Sequence, residues 1–349
     1  MQAYVVLYSG DEVMVDASRY YQVDHFVGNT PLIYLRRLSE LTGSTILGKA
    51  EFMNPGGSVK DRAAMGIILD AEQKGLLKPG MTIVEGTAGN TGIGLTVIGQ
   101  ARGYKSVIVI PETQSVEKME LLRNLGAEVR PVPAKPYKDP DNYIHIADRL
   151  ADENGWFWAN QFDNTANRDA HEQTTGPEIW RQTNGEVSAF VTAIGSGGTL
   201  GGVALALKRE SSKVQTVCAD PCGAAMWNWF NCGVTEASEG DSVAEGIGQS
   251  RVTANVADIP VDRAYKVDDQ TALTIIKYLG REEGLFLGLS SGINIGGAVR
   301  QAVEHGPGQV IVTVLCDTGV KYQSKLCNRQ WLDEQGLKDD LPLDSVLGA

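Results

Sequence analysis

Short, β-branched apolar runs alternate along this chain with stretches of helical period. Residues 81–85, 106–110 and 128–132 read as strands, with helices over 91–102 and 116–125 between them. A helix carrying Ile144 and Ala147 follows a loop over 135–140. A second alternating set has strands at 189–194, 214–218 and 309–315, and helices at 199–208, 271–283 and 291–304. Residues 220–264 lack a clear period. Continuous apolar strands separated by helices predict parallel sheets covered on both faces, joined by right-handed crossovers.

Two such sets predict an α/β protein of two lobes, each a mainly parallel twisted sheet with flanking helices, and an active site in the cleft between them. The break is expected near Asn160. Residues 45–160 form the smaller lobe in this reading, and residues 1–44 and 161–349 the larger. No repeat of solenoid length and no low-complexity tract interrupts the pattern.

Composition narrows the possibilities. The 349 residues suit about two domains, and 42% apolar with 21% charged residues is ordinary for a globular chain. A net charge of −12 argues against a nucleic-acid surface. No apolar run approaches a membrane span and no secretory signal is evident, so a cytoplasmic protein is expected. Five cysteines without paired C-x-x-C spacing point to reduced thiols. Cys218, Cys222 and Cys232 are spaced irregularly with no histidine nearby, and read as buried small hydrophobes rather than metal ligands.

Three glycine-rich segments carry the candidate chemistry. Gly195-Ser-Gly-Gly-Thr199 joins a strand to a helix, where converging backbone N–H groups and the helix N-terminus make an anion site. It matches neither the P-loop nor the dinucleotide fingerprint. Asn54-Pro-Gly-Gly-Ser-Val-Lys60 places a lysine in a first helical turn behind a capping box, Ser58-Val-Lys-Asp61. A cation is disfavoured there, so Lys60 is either solvated or has a lowered pKa, as imine formation requires. Thr87-Ala-Gly-Asn90-Thr-Gly lies at the carboxyl end of a strand, suited to a carboxylate. Each segment alone also has a plainer reading: a packing turn, a surface lysine, an N-capping loop.

Jointly and in this order, the segments resemble the pyridoxal-phosphate enzymes of the tryptophan-synthase β-like group (fold type II). The closest likeness is to the cysteine synthase and cystathionine β-synthase branch. It runs from Val27-Gly-Asn-Thr-Pro-Leu32 to Asp317, through Gln161-Phe-Asp-Asn-Thr-Ala-Asn167 and His171-Glu-Gln-Thr-Thr-Gly-Pro-Glu-Ile-Trp180. The resemblance implies that Lys60 carries the cofactor as an imine and shuttles the α-proton. It implies that Asn90 meets the ring oxygen, that Gly195, Ser196, Gly197, Gly198 and Thr199 hold the phosphate, and that Ser290 meets the pyridine nitrogen. Thr87, Ala88, Thr91 and Gln161 would line the substrate-carboxylate pocket, and Gly246 would flank the amino group. The implied partners are a small amino acid, sulfide and a second copy of the chain, with no nucleic acid or membrane.

A neutral serine at the ring nitrogen favours loss of a β-substituent over transamination. The expected reaction is β-replacement through an aminoacrylate, making L-cysteine from O-acetylserine and sulfide. The alternative is a cysteine desulfhydrase, releasing sulfide, pyruvate and ammonia; cystathionine β-synthase and serine/threonine dehydratase rank lower, and a non-catalytic scaffold lower still. Ala88 stands where family synthases usually carry serine, and Gln114-Ser-Val-Glu-Lys118 where they carry Met-Ser-x-Glu-Arg. The aromatic stretch 226–230 reads as a lid, a dimer contact or rim packing.

Overall fold

The computed structural model describes residues 2–6, 12–16 and 21–348. Strands β1 (Gln2–Val6) and β2 (Glu12–Asp16) pair with each other, antiparallel. Then come β3 (Leu32–Tyr34), α1 (Arg36–Thr42), β4 (Thr45–Ala50) and α2 (Lys60–Gln73). The next run is β5 (Thr82–Gly86), α3 (Asn90–Ala101), β6 (Lys105–Pro111), α4 (Val116–Asn124), β7 (Glu128–Val132), α5 (Tyr143–Asn154) and β8 (Phe157–Trp158). The chain continues through α6 (Ala166–Gln173), α7 (Thr175–Gln182), β9 (Ala189–Thr192), α8 (Gly198–Glu210), β10 (Gln215–Pro221) and α9 (Met226–Cys232). It closes with β11 (Arg263–Val267), α10 (Asp269–Glu282), α11 (Leu289–His305), β12 (Val310–Leu315), α12 (Gln323–Leu326) and α13 (Arg329–Glu334).

The smaller sheet has four parallel strands in the order β7-β6-β5-β8. Pro131 is tolerated because β7 is an edge. The larger sheet has six strands in the order β11-β10-β9-β12-β4-β3, all parallel except β3. The α/β class and parallel sheets match the pattern read from the sequence. One assignment is corrected: residues 45–50, placed above in the smaller lobe, pair along their whole length with β12 of the larger sheet. The chain crosses to the smaller sheet only after Ala50.

Each sheet is packed on both faces. Phe190, Leu200, Val203, Val312 and Val314 fill one side of the larger sheet, and Val191, Ala219, Ile293, Ile295 and Ile311 the other. Ile83, Leu95 and Ile98 pack one side of the smaller sheet. Within helix α11, Asn294 donates to Val314 O (2.8 Å) and accepts from Ala193 N (2.7 Å). This pins the helix to the carboxyl ends of β12 and β9. The aromatic stretch forms α9, whose Trp227, Trp229 and Phe230 pack against the larger core, with Lys266 4.6 Å over the Trp227 ring. Of the three expected buried cysteines only Cys218 is fully buried; Cys222 is half-buried and Cys232 exposed. Among the described residues no acidic, His or Cys cluster could hold a metal, and no helix is long and apolar enough to cross a membrane.

Candidate active site

Lys60 opens α2 from a tightly bonded turn. Asn54 donates to Glu51 O, Glu51 Oε2 and Ser58 O, and its Oδ1 accepts from Gly28 N (2.8 Å). Gly57 sits at φ +74, a conformation an L side chain rarely adopts. The anticipated capping box does not form. Ser58 Oγ accepts from Lys60 N (3.2 Å), while Asp61 reaches back to Gly56 N (2.5 Å) rather than to Ser58. Val59 N donates to Cys316 O (2.9 Å), which ties the turn to the end of β12. Lys60 Nζ makes no hydrogen bond to any described residue. Burial chiefly lowers its pKa; Cys316 and Asp317 act against that, and Lys118 adds to it. The cause is therefore lost hydration more than position in the first helical turn.

The loop 87–90 turns β5 into α3 through Gly89 at φ +124. Thr91 Oγ1 donates to Gln161 Oε1 (2.5 Å), joining two expected carboxylate-pocket residues. Gln161 N donates to Glu85 Oε1 (3.3 Å), while Glu85 Oε2 is buried without a partner. Burial pushes the Glu85 carboxyl up to about 8. A group raised in the fold holds an extra proton there, so its contribution is complete below the unfolded pKa near 4.5 and is lost as pH rises through 8. We expect Glu85→Gln to flatten the decline of Tm between pH 5 and 8, as followed by thermal melts. An unchanged slope would reject the protonated carboxyl.

The anion cradle lies between β9 and α8. A Cβ at Gly195 would fall 2.2 Å from Gly246 O, and one at Gly198 2.0 Å from Asn167 Oδ1. Only glycine lets the Gly246 backbone approach at 195, the Asn167 side chain crowds 198, and Gly197 needs φ +93. The N–H groups of residues 196–199 have no acceptor among the described residues, and the dipole of α8 adds positive potential. Ser196 Oγ accepts from Asn167 Nδ2 (2.8 Å), which leaves the hydroxyl proton free to donate. Thr199 Oγ1 lies 3.2 Å from Nε2 of His171, which is buried. The arrangement suits a phosphate: bare N–H groups, free hydroxyls and no acidic side chain within the loop.

A cavity of about 290 Å³ gathers these parts. Lys60, Thr87, Ala88, Asn90, Thr91, Gln161, Gly195, Ser196, Gly246 and Ser290 all line it. Gly197, Gly198 and Thr199 follow in the chain but do not form its wall. Ser290 stands in the first turn of α11 beside Cys316, whose thiol burial pushes up to about 11. Gly246 (φ +79) belongs to a loop seated on β9's end, where Gly248 N donates to Ile194 O (3.0 Å).

Several lining residues carry no local signal in the sequence. Lys118 bonds Glu245 (2.7 Å), which also takes Lys325 (2.6 Å). With its amide turned, Gln114 donates to both Ala88 O and Glu245 Oε2 at 3.0 Å. Arg251 pairs with both oxygens of Asp163 (3.0 and 2.7 Å) and lies 4.5 Å over Tyr137. Lys135 pairs with Asp139 and Asp141. The Glu245 and Arg251 contacts bring together residues separated by 80 to more than 120 positions.

A family model described as "Pyridoxal-phosphate dependent enzyme" matches residues 23–317. Cysteine synthase 1 of Emericella nidulans is 50% identical over 322 residues, covering 90% of this chain and 87% of that protein. Cysteine synthase 1 of Neurospora crassa is 51% identical, covering 90% and 85%. Among solved structures, an O-ureido-L-serine synthase superposes with a TM-score of 0.80 at 37% identity, covering 95% of this chain and 99% of that one. With a lysine amine of lowered pKa, an anion cradle and a neutral serine meeting in one cavity, this chain belongs to the pyridoxal-phosphate-dependent enzyme family.

Proposed function

We propose that this protein makes L-cysteine by β-replacement, joining sulfide to Cβ of O-acetylserine as the Cβ–O bond breaks and acetate leaves. The observation that carries the reading is Lys60: an amine of lowered pKa without a hydrogen-bond partner among the described residues, in a cavity it shares with Asn90, Ser196 and Ser290. Likeness to two cysteine synthases over nine-tenths of the chain supports it.

Pyridoxal phosphate, when bound, supplies the electron sink that makes Cα acidic and lets the β-substituent depart. Lys60 Nζ would hold the cofactor and, as a free amine, move the proton at Cα. Asn90 would donate to the cofactor's ring oxygen, and Ser290, uncharged, would meet the ring nitrogen without forcing a proton onto it. The backbone of Gly195, Ser196, Gly197, Gly198 and Thr199, with both hydroxyls, binds the phosphate. Thr87, Ala88, Thr91 and Gln161 receive the substrate carboxylate, and Gly246 flanks its amine. In this reading the smaller lobe presents substrate and the larger one grips phosphate. The working unit is a homodimer in the cytoplasm, a placement consistent with five free thiols.

The test is a product screen of O-acetylserine, O-phosphoserine, serine and cysteine, each with and without sulfide. O-acetylserine with sulfide is expected to give cysteine fastest. Sulfide and pyruvate from cysteine alone, with no cysteine formed from O-acetylserine, would replace this reading by the desulfhydrase. O-phosphoserine is expected to be poor. Arg251 lines the cavity. It and the lining Lys118 and Lys135 are already ion-paired, so none is left for a second phosphate.

A further inference from the structure

Asn90 is gripped from both sides by residues that come late in the chain. Its Nδ2 donates to Asp317 Oδ2 (2.7 Å), and its Oδ1 accepts from Lys321 Nζ (3.2 Å). The same ammonium donates to Gly56 O (3.0 Å) and Gly57 O (3.1 Å) in the turn that leads to Lys60. Lys321 is buried, and its three protons meet three acceptors. Asp317 Oδ2 also accepts from Tyr322 OH (2.6 Å), and the Tyr322 ring lies under Lys118 Nζ at 4.3 Å. Lys321 and Asp317 Oδ2 are thus themselves held, while Asp317 Oδ1 is buried without a partner.

The chemistry of the two gripping groups is one-sided. An ammonium only donates, so the amide oxygen must face Lys321. Asp317 Oδ2 already accepts from Tyr322 OH and accepts from Asn90 as well, so the amide nitrogen faces Asp317. A free asparagine could turn over and offer either edge. Here one N–H is spent on Asp317 and the oxygen on Lys321, which leaves the second N–H as the amide's remaining group. We propose that Lys321 and Asp317 are positioning residues that fix the facing of the Asn90 amide, so that it offers an N–H and never a carbonyl to the ring oxygen of pyridoxal phosphate. A donor there stabilises that oxygen as an anion; a carbonyl would stabilise the protonated form. The proposal rests on the cofactor role given to Asn90 above.

The experiment compares wild type, Lys321→Met, Lys321→Arg and Asp317→Asn. Each is reconstituted with pyridoxal phosphate and read by absorption spectrum, cofactor retention on dialysis and Tm. In wild type the long-wavelength band of the anionic ring oxygen should dominate. In Lys321→Met its ratio to the short-wavelength band should fall about fivefold, the size of one lost hydrogen bond. Lys321→Arg, still a pure donor, should keep the wild-type ratio. Asp317→Asn can donate or accept, so it removes one of the two constraints and should shift the ratio in the same direction as Lys321→Met, with a larger shift in the double variant Lys321→Met/Asp317→Asn, where neither constraint remains. If Lys321→Met does not fold, Asp317→Asn decides. A wild-type ratio and wild-type retention in the folded variant, or a change in Tm alone, overturns the proposal. A wild type that gains no visible band on reconstitution overturns the cofactor role beneath it instead.

Discussion

Lys60→Ala is expected to abolish the visible absorbance of the reconstituted protein and to lower cysteine formation by about 10³-fold or more, the scale of losing a positioned proton-transfer group together with covalent attachment. The fold should survive. Lys60 Nζ makes no hydrogen bond to the described residues, and burial disfavours its charge, so truncation removes a strained cation rather than a support. Tm without added cofactor should therefore stay level or rise slightly. Residual turnover within tenfold of wild type would move the anchor elsewhere. Lys118 also lines the cavity and Lys321 stands behind Asn90, but each is engaged, with Glu245 and with Gly56, Gly57 and Asn90 respectively.

Arg62→Met should produce the largest loss of stability. Arg62 bonds Glu51 through Nε (2.7 Å) and NH2 (2.8 Å), and Glu178 through NH1 (2.8 Å) and NH2 (2.7 Å). Lys49 completes the group at 2.6 Å from Glu178. Two cations and two anions thus balance in the interior, joining β4, α2 and α7. Removing Arg62 leaves two buried carboxylates facing one lysine, which costs about 3–5 kcal/mol. Burial opposes the Glu178 charge, yet Arg62 and Lys49 outweigh it and hold its pKa down to about 2. A depressed acid gives stability that is complete above 4.5 and is lost as pH falls towards 2. In Arg62→Met the folded-state pKa of Glu178 rises, so this acid-linked loss should shrink. Urea unfolding at pH 7, repeated down to pH 3, measures both effects. A cost below about 1 kcal/mol, the range of a surface pair, would mean that water reaches the cluster.

What could be read from the sequence was whatever lies close together along it. The strands within 81–132 announce themselves because their apolar runs are continuous. The three glycine loops do so because each is a single contiguous turn. β4 escapes notice because Gly48 and Lys49 interrupt its apolar pattern, and that lysine is buried against Thr30 O, Glu178 and Gln182, the last two far along the chain. β11 carries Arg263 and Lys266, and β8 spans two residues, so neither has a usable period. In the site, Lys60, Asn90 and the cradle were legible, whereas Glu245, Arg251, Asp317 and Lys321 were not. These four act through partners that are 80 or more residues distant, and no spacing rule relates such positions.

The place of β12 between β9 and β4 also sets a timetable for the chain as it is made. All four strands of the smaller sheet lie within residues 82–158, so that sheet can pair while the rest is still being synthesised. The larger sheet keeps an open slot between its two halves until residues 310–315 arrive, and filling it closes a loop of more than 250 residues back to β4. Val59, next to Lys60, donates its N–H to the carbonyl of Cys316, the residue just past that strand. The lysine is therefore set in place last of all, and cofactor capture reports that synthesis has passed that point.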